Sequence, residues 1–285
     1  MPTAVLVAFI AAAGALYLVY YLRMGLRERE DIAKEPGRPV LLAPLCFAIY
    51  FLLSLGFPDY VLGTVCYRKL KLVDDARLPG TLVAATVVPG ALTAITFLGH
   101  GSAEFSTVLL CVAAESAGSL LGVRLVRGLN GGQIRKILGC CMVAAIAAFL
   151  LQSCLHATGS LSGLSAGKLA VALPVLFVPG ALNMFGVPMK PTSLLLLLLL
   201  GMSPLGALTV CLTMGSVGPM MGGIQLLKAG NYQKKIALYA ATVGLAAAFV
   251  GSRFALSIDN TVYTVVLVAI MCYAAYSLLK PDAKA

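Results

Sequence analysis

"GFPDY", residues 56–60, and "GVPMK", residues 186–190, decide how this chain folds. Each interrupts a strongly apolar stretch with Gly-x-Pro, and each leaves a charge beside the interruption, Asp59 in one and Lys190 in the other. Glycine ends a helix cheaply and proline fits a helix best in its first turn, so Gly-x-Pro is expected to stop one helix and start another in each stretch. Residues 40–72 are predicted to divide at Gly56-Phe57-Pro58, and residues 168–202 across "PGALNMFGVPMKP". In the second stretch each half holds about 14 residues, which at 1.5 Å per residue falls short of roughly 30 Å of hydrocarbon. A hairpin of two half-helices that enters and leaves on one side is the simplest arrangement.

The rest of the chain supplies the setting. It has 285 residues, of which 60% are hydrophobic and 11% charged, as in an integral membrane protein. Spanning helices are expected near 3–23, 80–98, 106–127, 132–152, 206–227, 235–254 and 261–279. The first lacks a basic leader and a small-residue cleavage site and reads as a retained helix. A net charge of +10 would suggest nucleic acid in a soluble protein. Here the basic residues cluster in short loops beside apolar segments, which is the positive-inside pattern. With the amino terminus outside and the carboxyl terminus in the cytoplasm, only Lys168, Lys190 and Arg253 fall away from the inner loops, out of 21 Lys and Arg. The eight cysteines show no CxxC and no histidine at metal-ligand spacing, so they read as small apolar residues, and neither metal nor cofactor is expected.

The two halves match. Gly122 and Arg124 align with Gly251 and Arg253 at an offset of 129, and the two breaks align at an offset of 130. Each unit is a broken hairpin followed by three spanning helices, and three crossings turn the second copy upside down. The predicted fold is therefore an all-α integral membrane protein with an inverted repeat and one extra amino-terminal helix. Residues 1–38 hold that helix and a basic loop, 39–155 the first unit and 156–285 the second. Broken helices at corresponding places in inverted repeats point to a transporter site near the midplane.

The stretch "LLLLLLLGMSPLGALTVCLTMGSVGPMMGGIQLLKAGNYQKKIALYAATVGLAAAFVGSR", from Leu194 to Arg253, resembles the repeat unit of the TauE/SafE family of membrane transporters, often called sulfite exporters. The shared pattern is an apolar half-helix, a Gly-x-Ser-Pro turn, a small-residue helix, a Gly-Asn turn and a Gly/Ala-rich helix ending Gly-x-Arg. "KLVDDARLPGTLVAATVVPG" through "LLGVRL" is a weaker copy. The resemblance covers roughly residues 40–280 and implies a carrier of small sulfur-containing anions in the bacterial inner membrane, driven by an ion gradient. The chain departs from the family at Asn183 and Met184, where several glycines are common.

Three ionisable side chains fall at membrane depth: Asp59, Glu115 and Lys190. Each costs about 2.5–3.5 kcal/mol on insertion scales and is a functional candidate by default. Lys190 opens the half-helix "PTSLLLLLLL", whose amino-terminal partial charge would add to the ammonium and favour an oxyanion. Asp59 could pair with Lys190 or cap the half-helix that follows. Tyr60, Asn183, Thr192 and Ser193 could donate hydrogen bonds to a substrate oxygen, or satisfy backbone groups freed by the breaks. Glu115, among small residues in "CVAAESAGSLL", could carry a coupling proton or bond a neighbouring helix. "GSLLG" (118–122) and "GPMMG" (218–222) match small-residue packing motifs and leave room for a homodimer, although contacts inside the bundle explain them more often. A membrane-embedded enzyme would need His, Asp or Glu converging at one place, and the two histidines, His100 and His156, fall in outer loops. The expected function is secondary transport of a small anion, most simply a sulfur oxyanion or organosulfonate, with H+ as the coupling ion. A carrier of a small carboxylate or another metabolite, and a passive anion channel, are the alternatives. The bilayer and the anion are the expected partners, with no nucleic acid.

Overall fold

The computed structural model describes residues 2–126, 159–186 and 188–257. Within them the regular structure is helical, apart from a single bridge between Leu161 and Met202. Six helices are long and apolar enough to cross a membrane: α1 (Pro2–Arg27), α5 (Leu78–Gly99), α6 (Phe105–Val126), α7 (Ala166–Asn183), α9 (Pro204–Lys228) and α10 (Lys234–Ser257). Between them lie α2 (Arg29–Lys34), α3 (Pro39–Ser54), α4 (Asp59–Lys69) and α8 (Lys190–Leu199). The spans expected at 132–152 and 261–279, and His156, lie outside the described residues.

Burial orders these helices. In their most apolar stretches 78% of α5 and 83% of α9 are buried, against 28% of α1 and 28% of α7. The central pair is therefore α5 and α9, which meet where Gly90 faces the backbone of Ser216. Helix α6 packs on α7, and α10 packs on α3, so each arm that leads into a break leans on a long helix from the other half of the chain. Glycine makes both crossings close. A Cβ at Gly122 would overlap the carbonyl of Ala181, and one at Gly251 would stand 2.8 Å from the carbonyl of Phe51.

Both predicted breaks are present. Helix α3 ends on Gly56 at φ +85°, with Gly56 N–H donating to Leu53 O (2.9 Å) and Phe57 N–H to Leu52 O (3.1 Å). This is a Schellman closure, which satisfies the last carbonyls of the arm before Pro58 starts the next helix. At the other break Gly186 has φ +84° and donates to Asn183 O (3.0 Å). The far ends of the half-helices also correspond at an offset of 130. Lys71 N–H donates to Arg68 O and Leu72 N–H to Tyr67 O, as Gly201 N–H does to Leu198 O and Met202 N–H to Leu197 O.

Two details differ from the sequence expectation. The arms of the second hairpin are unequal, with 18 residues in α7 and 10 in α8, and the helix runs through Pro179 and Gly180 to Asn183. A proline removes one backbone bond from a helix, and just past Pro179 the helix packs closely on α6, where Gly180 seats against the Glu115 backbone. The basic stretch 24–38 contains the short helix α2, which is tied to the start of α10. The Glu35 carboxylate accepts from the backbone N–H groups of Lys234 (3.3 Å) and Lys235 (2.6 Å), so it caps that helix from outside it.

The hairpins open toward opposite ends of the bundle. The mouth of the first lies by the start of α5, where Asn231 reaches the Ala76 carbonyl and Gln233 N–H donates to Thr81 Oγ1. The mouth of the second lies by the other end of α5, where Lys168 Nζ donates to Leu200 O (2.7 Å) and Glu104 N–H donates to Ser162 O. The two tips therefore advance toward each other from opposite ends.

Candidate functional site

The tips meet in a small pocket. The first hairpin contributes Asp59 and Tyr60, the second contributes Asn183 and Lys190, and the central helices add Thr86 of α5 and Gly215 of α9. Residues 53–60 and 183–186 are buried, as are 188–190, so the broken backbone is shielded by protein. Irregular backbone at membrane depth is tolerated only in such a place.

The charges in the pocket are paired. Lys190 Nζ lies 2.9 Å from Asp59 Oδ1 and 3.4 Å from the Phe57 carbonyl, and the two side chains are only 9% and 6% exposed. Asp59 Oδ2 accepts from the Thr86 hydroxyl. Asp59 is the first residue of α4 and makes no cap of its own helix, so of the two roles open to it the ion pair is the one adopted. A carboxylate at that helix start is favoured by the dipole, whereas Lys190 at the start of α8 is disfavoured by it. The bridge offsets this cost, since a buried ammonium left bare would be far more expensive.

The remaining predicted residues divide. Tyr60 and Asn183 line the pocket, and the Tyr60 hydroxyl is buried without a hydrogen-bond partner. The Ser193 hydroxyl is likewise buried and unpartnered, one turn along α8 from Lys190. Thr192 stands apart from them, because its hydroxyl donates to Met189 O (2.9 Å) and satisfies the backbone of the break. Glu115 lies behind the pocket rather than in its lining. It is fully buried, Ser119 Oγ donates to its Oε1 (3.0 Å), and the Asn183 side chain approaches the same carboxyl group. Asn183 thus stands between the pocket and Glu115. A Cβ at Gly218 would overlap both carboxyl oxygens of Glu115, so the second small-residue motif makes room for a side chain inside the bundle.

Thr86 and Gly215 were not anticipated, although the sequence carries a signal for the first. Thr86 sits three residues before Pro89 in α5, and Ser216 sits three before Pro219 in α9, at the same offset of 130 as the breaks. A hydroxyl one turn ahead of an intrahelical proline is a polar group beside a weakened stretch of helix. Gly215 is visible only through packing, since a Cβ there would lie 3.7 Å from Lys190 Cε. Among the described residues no three His, Cys, Asp or Glu side chains form a group able to hold a metal ion. Comparison of the chain with protein-family models, with curated proteins and with solved structures finds no match.

Proposed function

We propose that this protein is a secondary transporter of a small anion in the bacterial cytoplasmic membrane, built as an inverted repeat of two units and related to the TauE/SafE transporters. The observation that carries the reading is the convergence of two half-helix starts and one buried cation, Lys190, in a pocket enclosed by membrane-long helices. Helix amino termini and an ammonium together favour an oxyanion, and buried hydroxyl and amide groups can complete its coordination. Sulfur oxyanions and organosulfonates are the preferred class, on the strength of the sequence pattern from Leu194 to Arg253. The substrate passes unchanged, by alternate opening of the two hairpins about the central pair. Glu115, linked to the pocket through Asn183, is the proposed carrier of a coupling proton.

The test is a thermal-shift screen of purified protein against sulfite, thiosulfate, sulfonates, sulfate and short carboxylates, since a ligand that binds only the folded form stabilises it. It is followed by flux of the selected anion in vesicles. Saturable counterflow is expected, and flux that neither saturates nor shows counterflow would identify a channel. Lys190→Met should weaken anion binding tenfold to a hundredfold, because a charge-assisted hydrogen bond contributes roughly 1.5–3 kcal/mol. Unaltered binding would remove the site assignment.

A further inference from the structure

We infer that Asp59 is a built-in substitute for the substrate anion, and that it lets the unloaded transporter reorient, so that net transport rather than obligatory exchange is its mode. This rests on the reading that Lys190 binds the anion. The ion pair joins the first residue of α4 to the first residue of α8, and so joins the tips of the two hairpins that have to separate when the pocket opens to either side. Its position is where an oxyanion would sit, against the ammonium and between two helix starts. Without Asp59, an empty pocket would hold a bare ammonium away from water, a state too costly to pass through during the return step. With Asp59 in place the empty pocket is neutral and its cation is satisfied.

The second hold on Asp59 fits the same role. Thr86 donates to Oδ2 from α5, which belongs to neither tip, while Lys190 takes Oδ1. An arriving anion can take the ammonium from Oδ1 while Oδ2 stays on the hydroxyl, so the displaced carboxylate has a place to remain. The anion must compete with Asp59 for Lys190, and apparent affinity is lowered by the fraction of molecules in which the bridge is closed.

The experiment uses full-length protein in proteoliposomes loaded with radiolabelled sulfite. Efflux into sulfite-free medium measures net transport, and efflux into medium containing unlabelled sulfite measures exchange. Asp59→Asn removes the substitute charge at nearly constant shape, and should raise the ratio of exchange to net efflux at least tenfold while tightening sulfite binding by a similar factor. Thr86→Val keeps the charge but removes the group that holds the displaced carboxylate, so it should move both quantities the opposite way by a smaller factor, weakening sulfite binding and lowering the ratio; it carries the test alone if Asp59→Asn does not fold. An unchanged ratio in the variants, or a proportional fall of both fluxes, overturns the inference. If parent flux is abolished by Lys190→Met while Asp59→Asn keeps the parental ratio, the anion site stands and only the role of Asp59 falls. If the parent neither binds nor moves sulfite or any other anion of the panel, the transport reading fails and this inference fails with it.

Discussion

At the scale of single residues, corresponding turns solve the same problem with different side chains. Lys71 holds φ +52° where the matching turn has Gly201 at φ +93°, and Lys71 is exposed at the mouth of its hairpin. A left-handed non-glycine residue costs roughly 1–2 kcal/mol. Lys71→Gly should therefore raise the midpoint of thermal unfolding, by a stability gain of about 1 kcal/mol after the extra chain entropy of glycine is subtracted. A fall in the midpoint would mean that the Lys71 side chain contributes contacts of its own. Lys190 is the opposite case, a residue whose charge is costly where it stands. Lys190→Arg should keep partial binding but reorder preference among the anions in the thermal-shift panel, because a planar fork meets oxygens differently from a point charge. Glu115→Gln keeps the shape of the side chain and its acceptor for Ser119, so protein levels in the membrane should be near parental. Transport should become slow or lose its dependence on the proton gradient; a full rate with the gradient dependence intact would exclude Glu115 as the proton carrier.

At the scale of elements, the two crossings use size in complementary ways. On α7 the glycine is Gly180, seated against the Glu115 backbone of α6, while on α10 the glycine is Gly244, seated against the ring of Tyr50 of α3. Aligned at offsets of 129 and 130, Glu115 corresponds to Gly244 and Gly180 to Tyr50, so large and small have changed sides. The turn Ala240–Gly244 is π-helical, which widens α10 where the Tyr50 ring enters. At the α6–α7 crossing Gly122 leaves no room for even a methyl group, since a Cβ would overlap the Ala181 backbone. Gly122→Leu should lower stability by about 1–3 kcal/mol or separate the helices. Gly167→Ala, with open space at the Cβ position, is the matched control and should change the unfolding midpoint little.

For the whole molecule, charge and hairpin direction agree. The end of the bundle at the mouth of the first hairpin holds Lys34, Arg77, Lys228, Lys234 and Lys235, and toward the opposite end the described residues include Lys168, near the mouth of the second, and Arg253 of α10. Lys234 pairs there with Glu28 (2.5 Å), and Lys235 donates to the Glu35 carbonyl (3.0 Å), so part of the basic charge also fastens α2 to α10. In a cysteine-free background, single cysteines replacing His100 and Ser160 should react with an impermeant thiol reagent from one face of the membrane, and one replacing Lys34 only from the other. Labelling of all three from one face would contradict the opposed hairpins.

The elements were largely legible in the amino-acid order because their causes are local. Apolar length sets the spans, and Gly-x-Pro stops one helix and starts the next wherever it stands, so Gly56 and Gly186 could be read without a fold. Lys190 and Asp59 could be singled out for the same reason, as charges with no water at their depth. The equal arms expected for the second hairpin failed at Pro179, because whether a helix survives a proline depends on what packs against it. Only the tertiary structure decided that Asp59 bonds Lys190 rather than its own helix start, that Thr86 and Gly215 complete the pocket, and that Glu115 lies behind Asn183. Each of these is a meeting of residues far apart in the chain, and such meetings are set by how the helices cross, which no local preference encodes.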